Sequence, residues 1–170
     1  MNSIFKRRSI RKFEEKQVEQ EKIEKLLAAG MAAPTARNLR EWEFVVVTER
    51  EILNQLRSAS PYAGPLAKAP MAIVPLVNRK AAGESKYCEQ DLGAACQNIL
   101  VEAVELGLGG VWLGIAPVKE RMKTVSDILK LPDYVQPFSI LALGYPAEEK
   151  APHEGFEEGK VHYNRYGARE

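Results

Sequence analysis

Helix-like and strand-like patterns of apolar residues alternate along the chain. Helices are predicted where apolar residues recur every three or four positions, and strands where a short apolar run is bounded by turn-forming residues. On this basis the predicted helices span residues 17–31, 51–58, 86–106 and 118–129, and the predicted strands span residues 42–48, 71–77 and 137–144. The chain is therefore expected to combine helices with a β-sheet.

Three segments add detail to this outline. The predicted helix 86–106 is apolar around much of its circumference, which indicates burial or contact with another subunit. Pro75 lies within the strand 71–77 and cannot donate a ladder hydrogen bond, so it favours an edge position or a bulge. The polar tail, residues 146–170, has no clear period, and its composition fits both an arm wrapped on a partner subunit and a loosely ordered end.

The length and composition indicate a soluble protein with a single domain, residues 1–170. Hydrophobic residues make up 45% and charged residues 28% of the chain, which is ordinary for a globular protein. The net charge is +1, so no overall field attracts nucleic acid or an anionic membrane. We find no secretory signal and no apolar run of membrane-spanning length.

The two cysteines, Cys88 and Cys96, fall in one predicted helix. A separation of eight residues places them about 12 Å apart along the helix axis, which is too far for a mutual disulfide. No metal-ligand spacing surrounds them. We therefore expect buried thiols in a cytoplasmic protein.

The strongest local signal is the basic segment, residues 7–13, which reads Arg-Arg-Ser-Ile-Arg-Lys-Phe. Arginine presents a planar fork of donors and serine adds a short hydroxyl donor, so this cluster suits a dianionic phosphate group. The interleaved hydrophobic residues would anchor the segment and place its cations. A solvated basic N-terminus is the alternative interpretation.

Two further segments are candidates for ligand contact. Residues 33–38, Ala-Pro-Thr-Ala-Arg-Asn, could cradle a polar ring edge, although a plain helix-to-strand turn has the same composition. Residues 107–110, Gly-Leu-Gly-Gly, indicate either a helix C-cap or backbone that must approach a flat ligand closely. They follow a predicted helix rather than a strand, which excludes a dinucleotide-binding fingerprint. We assign Trp42 and Phe44 to the core.

Taken in order, these three segments resemble those of the nitroreductase family of flavin enzymes. Residues 7–13 match the family's Arg-Arg-Ser-x-Arg-x-Phe opening, and residues 33–38 match its Ala-Pro-Ser/Thr-x-x-Asn stretch. Residues 105–114 resemble Gly-Leu-Gly-x-x-Trp-x-Gly, and the Leu-Gly-Tyr-Pro sequence at 143–146 fits the family's typical close. Arg40 and Glu41 replace the family's usual Gln and Pro. The resemblance runs nearly end to end.

The resemblance implies an α+β fold with three α-β-α layers and a central mixed, mostly antiparallel sheet. It also implies a homodimer in which the cofactor FMN lies at the subunit interface and the arms, residues 146–170, are exchanged. The positions that match the family's FMN contacts are Arg7, Arg8, Ser9 and Arg11 for the phosphate and ribityl end, Pro34, Thr35 and Asn38 for the contact from the other subunit, and Trp112, Gly114 and Ile115 for the isoalloxazine ring. Lys160 matches a late phosphate contact, with Arg165 as its rival.

The resemblance further implies that the flavin carries the chemistry. NADH or NADPH would give hydride to flavin N5, and a nitroaromatic, quinone or similar conjugated acceptor would take it. This fits a chain in which we recognise no Ser/His/Asp set, no nucleophilic Cys/His pair and no triphosphate-binding loop. Two alternatives stay open: a flavin protein of this fold with different chemistry, such as reductive dehalogenation or flavin breakdown, and a non-enzymatic anion or nucleic-acid binder, whose binding would weaken steeply with salt.

Overall fold

The computed structural model describes residues 2–153 and 155–168. Its helices are α1 (Ser3–Lys6), α2 (Gln20–Met31), α3 (Arg50–Leu56), α4 (Arg79–Ala82), α5 (Cys88–Glu105) and α6 (Lys119–Leu129), and its strands are β1 (Trp42–Val47), β2 (Met71–Asn78), β3 (Gly109–Gly114), β4 (Val135–Pro137) and β5 (Ser139–Gly144). All four predicted helices and all three predicted strands are present, and no end differs by more than three residues. The sequence patterns missed α1, α4, β3 and β4.

The strands form one sheet in the order β1-β2-β5-β3, with β4 also paired to β2. Every pairing between these strands is antiparallel. A parallel bridge joins Ser9 to Gly110 at the β3 side of the sheet. The sheet is thus mostly antiparallel, as the resemblance implied.

Pro75 lies in an interior strand, opposite a bulge. Between the pairs Leu76↔Pro137 and Ile73↔Leu141, two residues of β2 face three residues of the segment that runs from β4 into β5. The extra residue interrupts the ladder where proline has no N–H to donate. The prediction of a bulge is therefore confirmed, whereas the edge position is wrong.

Helices cover both faces of the sheet, which gives three layers. Alternate strand residues point to opposite faces, and each set joins its own core cluster. One cluster packs the sheet against α2 and α5 through Ile23, Leu26, Ile73, Ile99, Leu141 and Leu143. The other packs it against α3 and α6 through Leu53, Leu56, Val74, Val125, Ile140 and Ala142.

The longest helix, α5, is buried along much of its length, as its apolar pattern predicted. Leu92, Cys96 and Ile99 have no exposed surface. Cys88 and Cys96 are both free and buried, and burial raises the pKa of the Cys96 thiol to about 12. Within the described residues, no helix combines the length and the apolar character needed to cross a membrane.

Candidate cofactor site

The basic segment runs beside the start of β3 and is fixed there by its main chain. Ser9 bridges to Gly110, and the Ile10 N–H donates to the Gly110 carbonyl at 3.0 Å. Ile10 and Phe13 are buried, with 8% and 6% of their surface exposed. Arg11 is exposed, so the hydrophobic residues anchor this segment while its cations remain accessible.

The chain returns to the basic segment directly after β5. Phe13 forms an antiparallel bridge with Pro146. The Glu14 N–H donates to the Tyr145 carbonyl at 2.9 Å, and the Ala147 N–H donates to the Lys12 carbonyl at 3.0 Å. We call residues 146–151 the strap, because they hold the basic segment from the side opposite β3.

Two side chains of the strap reach the main chain of the basic segment. Glu148 Oε1 accepts the N–H groups of Arg11 at 2.5 Å and Lys12 at 3.2 Å. Lys150 Nζ donates to the Ser9 carbonyl at 2.5 Å and lies 3.5 Å from Glu148 Oε1. The Arg11 N–H, followed by the Lys12 N–H and the Lys150 charge, holds the pKa of Glu148 below its ordinary value.

Of the four predicted phosphate ligands, Arg8 is already engaged, because its guanidinium donates to the Ala151 carbonyl of the strap. Arg11 Nη1 lies 3.4 Å from the Ser9 carbonyl. The Arg7 guanidinium has no hydrogen-bond or ion-pair partner among the described residues. Two guanidinium groups and the Ser9 hydroxyl therefore remain as donors for an anion.

The second predicted group lies in a strained turn between α2 and β1. Positive φ angles of 55°, 53° and 49° occur at Arg37, Asn38 and Arg40. Such angles are uncommon outside glycine and cluster at functional sites. The turn is held by the Ala36 N–H, which donates to Asp91 of α5 at 3.0 Å, and by the Arg40 N–H, which donates to the Thr35 hydroxyl at 3.2 Å. Pro34 and Asn38 are exposed and Thr35 is half-buried.

The third predicted group occupies the end of β3. Trp112 is 36% exposed and packs edge-on against Phe138, with ring centroids 5.7 Å apart. A Cβ atom added to Gly114 would meet nothing within 4 Å, so open space borders the main chain there. Ile115 is fully buried and anchors this end.

The fold brings the first and third groups together on one strand. Ser9 bridges to Gly110, and Gly114 follows four residues later, about 13 Å along β3 at the usual rise per residue. Within the described part of the chain, no hydrogen bond or ion pair joins the turn at 33–38 to the basic segment. One protomer thus supplies cations at one end of β3 and open backbone at the other.

Lys160 and Arg165 do not reach the basic segment within the chain. Lys160 is exposed and pairs with Glu157 at 2.5 Å. The Arg165 N–H donates to the nearby Tyr163 carbonyl. The role of Lys160 stays a prediction. A cation of the strap that does contact the basic segment is Lys150, which sequence reasoning missed. Its only sequence signal is its place just after the Leu-Gly-Tyr-Pro sequence.

The residues present fit FMN. The guanidinium groups of Arg7 and Arg11 and the Ser9 hydroxyl lie on a main chain that the Gly110 bridge and the strap hold, and they match the donors that a phosphate group needs. The open space beside Gly114 admits a flat ring against the main chain. The donors therefore suit the phosphate end of the cofactor, and the open end of β3 suits its ring.

Comparisons with known proteins agree with this geometry. The profile of the Nitroreductase family matches residues 4–145. A protein of Archaeoglobus fulgidus named putative NADH dehydrogenase/NAD(P)H nitroreductase is 39% identical, with 98% of each chain covered. The structure of a putative NADH oxidase from Clostridium acetobutylicum has a TM-score of 0.94 and 43% identity, covering 97% of this chain and all of the other. That of an FMN-dependent nitroreductase from Clostridium difficile has a TM-score of 0.88 and 32% identity, covering 97% and 99%.

Proposed function

The chain belongs to the nitroreductase family, and from this premise we propose that it is an FMN-dependent oxidoreductase that uses NADH or NADPH as electron donor. The observation that carries the proposal is the arrangement along β3, where anchored cations lie at one end and open main chain borders Gly114 at the other. Relatives named NAD(P)H nitroreductase and FMN-dependent nitroreductase support the same reading.

The residues of the basic segment would hold the phosphate and ribityl end of FMN. Arg7 and Arg11 supply guanidinium forks and Ser9 a hydroxyl, while Arg8 holds the strap and adds its charge. Lys160 is proposed as a late phosphate contact. Because Ile10 and Phe13 are buried, the main chain that carries these donors is held in place before the ligand arrives, which lowers the entropic cost of binding.

The main chain from Trp112 to Ile115 would flank the isoalloxazine ring, and Pro34, Thr35 and Asn38 would reach it from the other subunit. Bound FMN would supply the redox chemistry, which is hydride transfer from NADH or NADPH to a nitroaromatic, quinone or similar conjugated acceptor. The protein would orient the ring and control what stacks on it. We propose no nucleophile and no essential general acid from the protein.

We propose that the working form is a homodimer, and three unpartnered surfaces support this. A groove of about 400 Å³ between α2 and α5 is lined by Ile4, Ala32 and Val101. The outer edge of β1 has no neighbouring strand among the described residues. In the tail, Phe156 is 77% and Tyr166 is 93% exposed, as expected of an arm that packs on a second copy.

We further propose that residues 1–170 form one FMN-binding domain, in which residues 146–170 are the exchanged arm. A cytoplasmic location is proposed because both cysteines are free thiols.

The test is an absorption spectrum of the purified protein after reconstitution with FMN and desalting. Retained flavin bands that NADH or NADPH bleaches under anaerobic conditions would support the proposal and identify the preferred donor. Retained bands that neither donor bleaches would instead favour a flavin protein with other chemistry. Loss of all flavin on desalting would overturn the cofactor assignment.

A variant of Arg7 tests whether the basic segment holds the phosphate of FMN. Arg7→Ala removes a guanidinium that makes no hydrogen bond or ion pair with the rest of the described chain, so it should lose FMN while its circular dichroism spectrum and unfolding midpoint stay nearly unchanged. An Arg7→Ala protein that retains all of its FMN would show that the phosphate lies elsewhere.

A further inference from the structure

We propose that Lys150 sets the preference of this site for a phosphorylated flavin over an unphosphorylated one. The inference rests on the proposed function. Lys150 is a cation of the strap, and its ammonium group contacts a main-chain carbonyl of the basic segment. The two residues in this contact are 141 positions apart in sequence.

The first step is the place of the ammonium group. Lys150 Nζ donates to the carbonyl of Ser9 at 2.5 Å, and its side chain is 27% exposed. Ser9 is the residue whose hydroxyl is the proposed phosphate donor. Lys150 therefore brings a positive charge to the same residue. Its ammonium group has three donors, so with one on the Ser9 carbonyl and a second facing Glu148 at 3.5 Å, a third remains for the ligand.

The second step is the charge of Glu148. Its carboxylate is fixed in the basic segment because it accepts the N–H groups of Arg11 and Lys12. A negative charge at this place opposes the binding of a phosphate dianion. Lys150 lies 3.5 Å from this carboxylate and offsets its negative charge. Glu148 therefore does not neutralise the arginines of the segment, and their positive charge remains available to the phosphate of the ligand.

The third step is the distance from the ring. Lys150 touches the basic segment at Ser9, whose bridge to Gly110 lies about 13 Å along β3 from Gly114. A single charge acts strongly on a phosphate in its vicinity and weakly on an uncharged ring that far away. Lys150 should therefore discriminate FMN from riboflavin, which differs from it only by the phosphate group.

The experiment measures dissociation constants of FMN and riboflavin by fluorescence quenching, at low and high salt. Lys150→Met removes the ammonium and leaves the Glu148 charge uncompensated, so its affinity for FMN should fall about tenfold or more. Its affinity for riboflavin should stay within about twofold of the wild type, and the loss for FMN should shrink as salt screens the charges.

Three further variants isolate the charge. Lys150→Arg keeps the cation and should restore most of the FMN affinity. In a Glu148→Gln background, Lys150→Met should cost less than it does alone, because no carboxylate is left uncompensated. Lys123→Met removes a cation that is paired with Asp127 on α6 and should change neither constant.

The outcomes separate the two proposals. Wild-type protein that binds FMN, with a Lys150→Met variant that binds it equally well, would overturn this inference and leave the proposed function standing. Equal loss of FMN and riboflavin would overturn it as well, since that pattern indicates a structural role. Wild-type protein that binds neither flavin would overturn the proposed function and this inference with it.

Discussion

Replacing Gly109 with alanine should push the basic segment away from β3. A Cβ atom added at Gly109 would lie 2.7 Å from Ile10 Cγ1 and 2.9 Å from Ile10 Cβ. Carbon atoms in ordinary contact are about 3.5–4.0 Å apart. Because the Ile10 Cβ is attached to the main chain, rotation of the side chain cannot relieve this contact, and the main chain at Ile10 has to move by about 1 Å.

The size of the effect follows from three contributions. Overpacking a filled site costs about 1–3 kcal/mol. Moving Ile10 by about 1 Å would also break its 3.0 Å hydrogen bond to the Gly110 carbonyl, which is worth about 1 kcal/mol. Against these, alanine lowers the entropy of the unfolded chain and gains about 0.4–1 kcal/mol. We therefore expect the free energy of unfolding to fall by about 1–3 kcal/mol.

The same displacement should weaken FMN binding. Losing one hydrogen bond between a guanidinium group and the phosphate costs about 1.5–3 kcal/mol, which corresponds to a tenfold or larger increase in the dissociation constant. Urea unfolding and a fluorescence titration with FMN measure the two quantities separately. Gly64→Ala is the matched control, because a Cβ atom there would meet nothing within 4 Å.

A double variant tests the cause. In an Ile10→Ala background the Cγ atoms are gone, so Gly109→Ala should cost less free energy of unfolding than it does in the wild type. A Gly109→Ala protein that unfolds at the wild-type urea concentration and binds FMN with wild-type affinity would refute the idea that the contact between Ile10 and β3 places the cations.

Three other properties can be tested on the same protein. Glu41 is 1% exposed and neither carboxylate oxygen has a hydrogen-bond partner among the described residues, so Glu41→Met removes a buried unsatisfied group and should raise the free energy of unfolding by about 1–3 kcal/mol, measured by thermal unfolding. Burial raises the pKa of Cys88, and that of Cys96 to about 12, so at pH 8 only about one Cys96 in 10,000 is a thiolate, and iodoacetamide should label neither thiol of the folded protein. Arg50 donates to three carbonyl groups of the turn at 66–69, so Arg50→Ala should lower the free energy of unfolding by about 2–4 kcal/mol, measured by urea unfolding.

Each of these has a control in the chain. Glu84→Met and Arg57→Ala change exposed side chains of the same types and should leave the unfolding free energy within about 0.5 kcal/mol. The urea-unfolded protein provides the full labelling rate for the thiols. A stabilising Glu84→Met, a Glu41→Met with no effect, or a folded protein labelled at the unfolded rate would each contradict the reasoning.

The elements that could be predicted from sequence are those whose own apolar pattern indicates which residues are buried. The helix α5 and the strands β2 and β5 are rich in buried aliphatic residues, and β1 contains a run of buried or half-buried apolar residues, so their patterns were sufficient. The strand β3 begins with two glycines, which have low strand propensity, and it is formed by pairing with β5 and by the Ser9 bridge. Such pairing is invisible in the local sequence.

The candidate site likewise combines residues that the sequence pointed to with residues that it did not. The basic segment could be singled out from its residue types, because clustered arginines around a serine suit a phosphate group, and the resemblance to the nitroreductase family favoured this interpretation over a solvated basic N-terminus. The strap could not, since Glu148 and Lys150 reach residues 136 to 141 positions away and no spacing rule relates them. The backbone strain at Arg37 and Arg40 was equally hidden, because arginine is not a residue that signals a positive φ.

The strap has a consequence for the order of folding. It closes a loop of more than 130 residues, so its contacts with the basic segment form only after most of the chain has been synthesised. Contacts of such high sequence separation form late and slowly, because the entropy of loop closure is lost before they add stability. A flavin that requires both segments cannot nucleate folding. It stabilises the finished fold by mass action, in proportion to the logarithm of its free concentration, so cofactor supply would govern the lifetime of the folded protein rather than the rate at which it folds.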